Sequence, residues 1–541
     1  MSNYSFVSVL RNPDNAFGAV ETTDFRFEEA ACAACDVEYE YKIENNTAKV
    51  IVYPSKAPVK YLKLRFRGDM PNISKVYGDQ WERCNGDGYP LEWRSVMPHR
   101  ALAWFCYVKM GDRLACYGVK TGPDCFAFWQ VDTHGITLFL NLCSARGGTD
   151  LKAPLTACEV VELVGDEGED EYKVAKHFAK MMCDSPVLPK EPVFGVNNWY
   201  WAYGKISRES VLEETDYLMQ MCHGTKHRPY MIIDDGWQFN RTYGKNTYIG
   251  GPWIASDKFG SMEETAAQIH DKGAKAGIWF RPLLTLGDIP EEATLGYDFG
   301  GLILDPTHPY TLERVQNDSA NLSRMGYDLI KHDFTTYDML GDCIFTRRNT
   351  VNLCKSDRKF YDKSITTATA IKNLYSTIQK GAGIIDIIGC NTVSHLTAGI
   401  HSIYRTGGDI SGRSFEWTAR NGVNAMMRLP LNDSFYRVDP DCAAFTEKVE
   451  ASLNLDFLEM CAITGVTTLA SVTPGILTDE EMKRINEIYH IADKNICRYG
   501  IKNYGGNACP DTFVSSDGAN ERNFNWGRTY DGSRTNIDWF Y

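Results

Sequence analysis

From residue 193 onward, short apolar runs alternate with amphipathic stretches, and this alternation limits the possible folds more than any other feature of the chain. Eight runs read as strands: 193–199, 230–234, 276–281, 329–333, 384–390, 401–405, 423–428 and 466–470. Between them, residues 208–221, 262–275, 311–325 and 364–381 place apolar side chains at helical spacing. Strands separated by helices pair in parallel, because a parallel crossover needs a dozen or more residues. Eight such units over roughly 300 residues predict an α/β chain with a (β/α)8 TIM barrel. The competing architecture is an open, doubly wound sheet. No G-x-G-x-x-G follows the first run and no P-loop follows any run, which counts against a nucleotide-binding version.

The segment before this region has a different texture. Residues 49–53, 60–67 and 127–132 alternate apolar and polar with period two, separated by glycine-rich turns at 85–88 and 146–149. That pattern predicts an N-terminal β-sandwich over 1–190. An amphipathic helix from Glu171 leads to Pro186, Pro189 and Pro192, a stiff connector at the boundary. The barrel then spans 191–498. A final helix over 479–494 precedes a Gly-, Asn- and Asp-rich end, read as a short C-terminal β appendage over 499–541.

Charge and cysteine content narrow the function classes. The chain has 57 basic and 70 acidic side chains, a net charge of −13, and no basic run, which argues against nucleic acid and anionic membranes as partners. No apolar run approaches the ~18 residues of a membrane-spanning helix. The N-terminus lacks a basic stretch followed by an apolar core. Together with 17 cysteines, this predicts a reduced, cytoplasmic protein. Cys32 and Cys35 form a lone C-x-x-C with no second pair, so they are expected to be ordinary thiols rather than zinc ligands. Neither H-E-x-x-H nor G-x-S-x-G occurs.

In a barrel, chemistry gathers at the C-terminal strand ends. Here two of those ends carry the carboxylates Asp333 and Asp409. Two carboxylates aimed into one basin are the equipment of glycosidic bond cleavage. Lys331 stands two residues before Asp333, on the same face by strand period, where an ammonium would keep the carboxylate ionised for nucleophilic attack. Asp409 follows a Gly-Gly pair that permits a sharp turn. As a general acid it needs a raised pKa. The adjacent Asp234 and Asp235 can each accept bonds from two sugar hydroxyls, with Trp237, Trp199 and Trp201 as apolar walls. His332 alternates to the opposite face and is expected behind the barrel wall.

These residues resemble those of glycoside hydrolase family 36, the α-galactosidases, and more loosely the sister family 27. Gly78-Asp-Gln-Trp-Glu-Arg83 and Leu91-Glu-Trp93 look like the signature of that family's N-terminal domain. Asn198-Trp-Tyr-Trp201, Met231-Ile-Ile-Asp-Asp-Gly-Trp-Gln238, Gly277-Ile-Trp-Phe280, Lys331-His-Asp333 and Arg405-x-x-x-Asp409 follow in the family's order. The resemblance implies a retaining double displacement on terminal α-linked galactose of small oligosaccharides, with no metal or cofactor. It implies Asp333 as nucleophile and Asp409 as acid/base. Asp234 and Asp235 would bind O4 and O6, Lys331 the ring hydroxyls, and Arg405 and Cys390 would lie near O2. Frequent homo-oligomers are a further implication.

The chain departs from the family at four places. His332 replaces a common Trp, Arg281-Pro282 replaces a Glu-Pro, the loop Cys390-Asn391-Thr-Val-Ser-His395 replaces a glycine-rich one, and the C-terminal domain is short. The resemblance implies that the altered loop faces the sugar's second carbon. It therefore keeps α-N-acetylgalactosamine or galactosamine open as the glycone. Transglycosylation fits the same intermediate, and a catalytically dead sugar-binding protein is the reading from another class.

Overall fold

The computed structural model describes residues 6–22, 36–70, 72–83, 101–242, 247–341, 353–355, 357–494, 498–505 and 510–524. Cys32 and Cys35, the turn at 85–88, Leu91-Glu-Trp93 and the end of the appendage from 525 lie outside the described residues.

The N-terminal part is one antiparallel sheet of ten strands: nine lie on a single hydrogen-bonded path from Asn15–Val20 to Tyr39–Glu44, and Ile73–Asp79 pairs beside it with Leu102–Met110. Thr47–Val52 alternates half-buried and buried residues along its length, the signature of a strand with one face on a core. The expected sandwich appears as a single path because one strand changes partners. In Leu102–Met110, Leu102 and Ala103 pair with Phe126–Asp132, whereas Phe105 onward pairs with Arg113–Val119. Trp104 between them has φ 67, a left-handed kink at the changeover. Helix Glu171–Met182, capped by the Asp170 side chain on the Lys173 amide, packs Phe178 and Met182 against Gly118, where a Cβ would clash.

The second part is a curled, all-parallel sheet of nine strands: β1 (Phe194–Asn197), β2 (Tyr230–Ile233), β3 (Lys275–Phe280), β4 (Leu329–His332), β5 (Asp386–Gly389), β6 (Ile403–Arg405), β7 (Arg437–Asp439), β8 (Cys442–Phe445) and β9 (Thr468–Val472). Their order is β7-β6-β5-β4-β3-β2-β1-β9-β8. The two edges of this path, β7 and β8, are consecutive in the chain with only Pro440 and Asp441 between them. Pro440 has no N–H to give a ladder, and Asp441 has φ 75, so pairing stops there while the chain continues.

One expected strand is a helix. Residues 423–427 belong to helix Phe415–Met427 and Arg428 is its C-cap; the helix is capped at its start by Ser414, whose hydroxyl accepts from the Glu416 amide. Every side chain from Thr418 to Met427 is buried, so no polar face reports the period. The interrupted strand β7–β8, shorter and more polar, takes the seventh place instead. Helices Arg208–Met221, Met262–Asp271, Pro309–Arg324 and Thr367–Ala382 lie where their patterns predict. Tyr499–Ile501, Thr512–Ser515 and Glu521–Asn523 form a small antiparallel C-terminal sheet.

Among the described residues, no helix is long and apolar enough to cross a membrane, and no three His, Cys, Asp or Glu side chains are grouped to hold a metal ion. The described cysteines are free and buried.

Buried histidines give the fold a pH dependence. His332 and His401 face each other with Nε2 atoms 3.1 Å apart, behind the wall as expected for His332. Burial pushes His332 and His395 down to about 3 and His401 well below its ordinary value. The unfolded chain binds these protons below about pH 6.5 and the folded chain does not. Stability from this source is therefore complete above about pH 6.5 and lost as pH falls. Buried Glu82 and Glu214, pushed up to about 7 and about 8, act oppositely: their contribution is present in acid and lost as pH rises through those values. His332→Gln should flatten the acid side of a melting-temperature profile between pH 4 and 7. An unchanged acid side would contradict the assignment.

Candidate active site

The C-terminal ends of β2, β4, β5 and β6 deliver Asp234, Asp333, Cys390 and Arg405 to one rim of the curled sheet. Asp234 accepts from Lys331 Nζ at 2.7 Å and from Asn197 Nδ2 at 2.7 Å. All three side chains are buried. The ammonium of Lys331 thus pairs across the sheet with Asp234, not along its own strand with Asp333 as the spacing predicts. Asp235 has a separate cation, Arg241, with Nη2 at 2.7 Å and Nε at 3.0 Å, and a third bond from Gln238. Burial still outweighs these partners and pushes the Asp235 carboxyl up to about 6.

Asp333 follows β4 directly. Its Oδ1 accepts from the Phe334 amide at 2.8 Å, and its Oδ2 faces Trp279 Nε1 at 3.4 Å. Phe334 has φ 62, a strained value for an aromatic residue. Its ring lies 4.2 Å from the guanidinium of Arg281, and Phe299 lies 4.7 Å away on the same cation. Arg281 is fully buried in a forked pair with Asp338. It braces the segment after Asp333 and has no exposed surface of its own.

Asp409 lies on the loop after β6. Arg405 Nη2 approaches its Oδ1 at 3.3 Å, and Arg83 Nη1, from the antiparallel part, approaches at 3.5 Å. The same two guanidinium groups reach Cys390 Sγ at 3.7 and 4.0 Å. Asp409 keeps 58% of its side chain exposed. Partial enclosure raises its carboxyl, but Arg83, Arg405 and Lys331 outweigh that and hold it below the ordinary aspartate value. The raised carboxyl expected of a general acid is therefore not what this arrangement produces. Gly407 does not turn left-handed. Its role is close approach, since a Cβ would sit 2.1 Å from Asn421 Oδ1.

Arg83 also feels the charge of Asp333, so both carboxylates lie in the field of one guanidinium. This gathers Asp333, Asp409, Cys390, Arg405, Lys331 and Asp234 into one basin.

No family model matches the chain. Solved structures do. An α-galactosidase from Thermus thermophilus in complex with p-nitrophenyl α-D-galactopyranoside superposes with a TM-score of 0.59 at 16% identity, covering 91% of this chain and 96% of that one. The α-galactosidase from Lactobacillus brevis gives 0.59 at 13% identity, covering 89% and 69%. The GH36 α-galactosidase AgaA from Geobacillus stearothermophilus gives 0.56 at 14%, covering 89% and 71%. The fold is GH36-like.

Other residues singled out from the sequence make contacts of their own. Trp237 is fully buried and donates to the Trp279 carbonyl at 2.8 Å, so it supports the ring beside Asp333 from behind. Trp201 donates to Glu214 on the outer helix at 2.9 Å. Asn391 accepts from Thr336 Oγ1 at 2.5 Å and fastens helix Thr335–Leu340. Trp199 is half-buried with its edge against Tyr203.

Three further residues lie near the basin, none of them with a site role readable from the sequence. Asp441, in the break between β7 and β8, makes a close ion pair with Arg405, a close hydrogen bond from Tyr200 Oη, and accepts from the Ile410 amide at 2.9 Å. Burial raises it to about 6 against the pull of Arg405 and Lys331. Glu82 and Arg83 come from the other end of the chain. Only the Gly78–Arg83 motif marks them.

Proposed function

We propose that this chain is a retaining exo-α-galactosidase that removes terminal α-linked galactose from small oligosaccharides. The observation that carries the reading is that Arg83 contacts both Asp409 and Cys390 with Asp333 in its field, beside the buried Lys331–Asp234 ion pair. The fold shared with α-galactosidases supports it.

In this scheme an Asp333 oxygen attacks the anomeric carbon as the glycosidic bond breaks, and the leaving oxygen takes the Asp409 proton. Water then gives a proton to Asp409 and its oxygen to the anomeric carbon, releasing Asp333 with the starting configuration. Asp234, oriented by Lys331 and Asn197, is placed to accept from sugar hydroxyls, and Arg405 and Cys390 border the second carbon. No step uses a metal or cofactor. We take the domains as 1–190, 191–498 and 499–541, the compartment as the cytoplasm, and the assembly as a homo-oligomer.

A panel of aryl α-glycosides varied at C2 and C4 tests the glycone. The galactoside with a free 2-hydroxyl should turn over fastest, and its 4-epimer should be slower by on the order of 100-fold, the scale of losing a well-placed hydroxyl contact. Faster turnover of the 2-amino or 2-acetamido sugar would move the assignment to an α-galactosaminidase or α-N-acetylgalactosaminidase. Products formed at high acceptor concentration would separate a transglycosylase. Tight galactose binding with no turnover would identify a sugar-binding protein instead.

A further inference from the structure

The contact between Arg83 and Asp409 joins two parts of the chain more than three hundred residues apart, and the scheme above gives Arg83 no role in the reaction. We infer that Arg83, carried in by the antiparallel domain, is a positioning residue of the basin: with Arg405 it clamps Asp409 over Cys390 and governs when that carboxyl carries a proton. The assignment of a catalytic role to Asp409 rests on the proposed function, but the clamp itself does not.

Geometry supports the clamp from several sides. Arg83 Nη1 reaches Asp409 Oδ1 at 3.5 Å and Cys390 Sγ at 4.0 Å. Its side chain is 13% exposed, so the charge is weakly screened by water. The neighbouring Glu82 is fully buried, and among the described residues neither of its carboxyl oxygens makes a hydrogen bond of full geometry, with the Thr336 side chain nearby. Its Oε1 lies 3.8 Å from Arg83 Nε. Burial pushes Glu82 up to about 7, so below neutrality it is protonated and does not neutralise Arg83. The charge of the Arg83 guanidinium acts on Cys390, Asp409 and Asp333.

The segment is also held in place. Arg428 donates to the Glu82 carbonyl at 2.8 Å and to the Thr406 carbonyl at 2.7 Å, tying the Arg83 segment to the start of the Asp409 loop. The charged and titratable groups that act on Asp409 come from five elements. Arg83 follows strand Ile73–Asp79, Lys331 ends β4, Arg405 ends β6, Tyr200 lies on the short helix Trp199–Ala202, and Asp441 lies in the β7–β8 break. The three cations favour the ionised form of Asp409, and an ionised Asp441 opposes them.

The first test is the pH dependence of kcat/KM on an aryl α-galactoside. Activity falls on the basic side as the acid loses its proton. Removing one nearby cation in Arg83→Gln should move that limb upward by about one pH unit. Arg83→Lys keeps a charge at shorter reach and should move it in the same direction by less. That ordering is not expected of a residue that only holds the fold. Because Arg83→Lys preserves charge, it supplies the reading even where Arg83→Gln does not fold. A basic limb unmoved in the folded variants overturns the inference.

A second measurement needs no substrate. The carboxyl stretch that disappears in Asp409→Asn can be titrated by difference infrared spectroscopy with Arg83 present and replaced. The Asp409 titration should move upward without Arg83, and an unmoved titration contradicts the clamp. A wild-type chain that cleaves no α-glycoside yet shows this shift would sink the proposed function and leave the clamp standing. Cleavage with no shift would do the reverse.

Discussion

Asp333→Ala should lower kcat/KM on an aryl α-galactoside by on the order of 10⁴-fold or more while leaving the protein folded. A covalent nucleophile has no substitute in a double displacement, and its loss removes both chemical steps. Stability should change little, because Asp333 is half-buried and among the described residues bonds only the next amide and, at 3.4 Å, one indole N–H. A small external nucleophile such as azide should restore turnover by occupying the space of the missing carboxylate, giving a product of inverted configuration. Activity within tenfold of the wild type would remove Asp333 from the mechanism.

Arg428→Met should destabilise the whole chain, by about 3–5 kcal/mol. Arg428 and Asp79 are fully buried partners, with Nε 2.6 Å from Oδ1, and the remaining guanidinium nitrogens hold the Glu82 and Thr406 carbonyls. Removing the arginine strands a carboxylate and two carbonyl groups away from water. The thermal midpoint should fall by about 3–4 °C. Because these bonds join the antiparallel part to the Asp409 loop, activity should fall at temperatures where the protein is still folded. Arg428→Met combined with Asp79→Leu should cost less than the sum of the two single changes, since the stranded charge is gone. A midpoint within 2 °C of wild type for Arg428→Met would contradict the account.

The parallel sheet was legible because its strands are short apolar runs broken by amphipathic helices with clear caps, such as Ser207 and Thr478. The run at 423–428 misled because helix Phe415–Met427 is buried nearly all round and carries no polar stripe. Asp234, Asp333 and Asp409 stood out as carboxylates at strand ends. Their partners did not. Strand period places Lys331 beside Asp333, but spacing along one strand cannot tell which carboxylate across the sheet its long side chain will reach, and it reaches Asp234. Asp441 was hidden because a strand broken by Pro440 has no recognisable alternation. Trp237 and Trp201 looked like pocket walls, but an indole N–H seeks a buried acceptor, and theirs are the Trp279 carbonyl and Glu214. Arg83 was visible as part of a motif, yet only the folded arrangement sets it against Asp409.

The central claim is that a sugar is transferred to Asp333. The most direct measurement is covalent trapping with a mechanism-based α-galactosyl inhibitor, followed by mass spectrometry of the digested protein. The account predicts one added sugar, on the peptide that carries Asp333, and protection by galactose. An adduct on another carboxylate, or turnover of α-galactosides with no adduct formed, would contradict it.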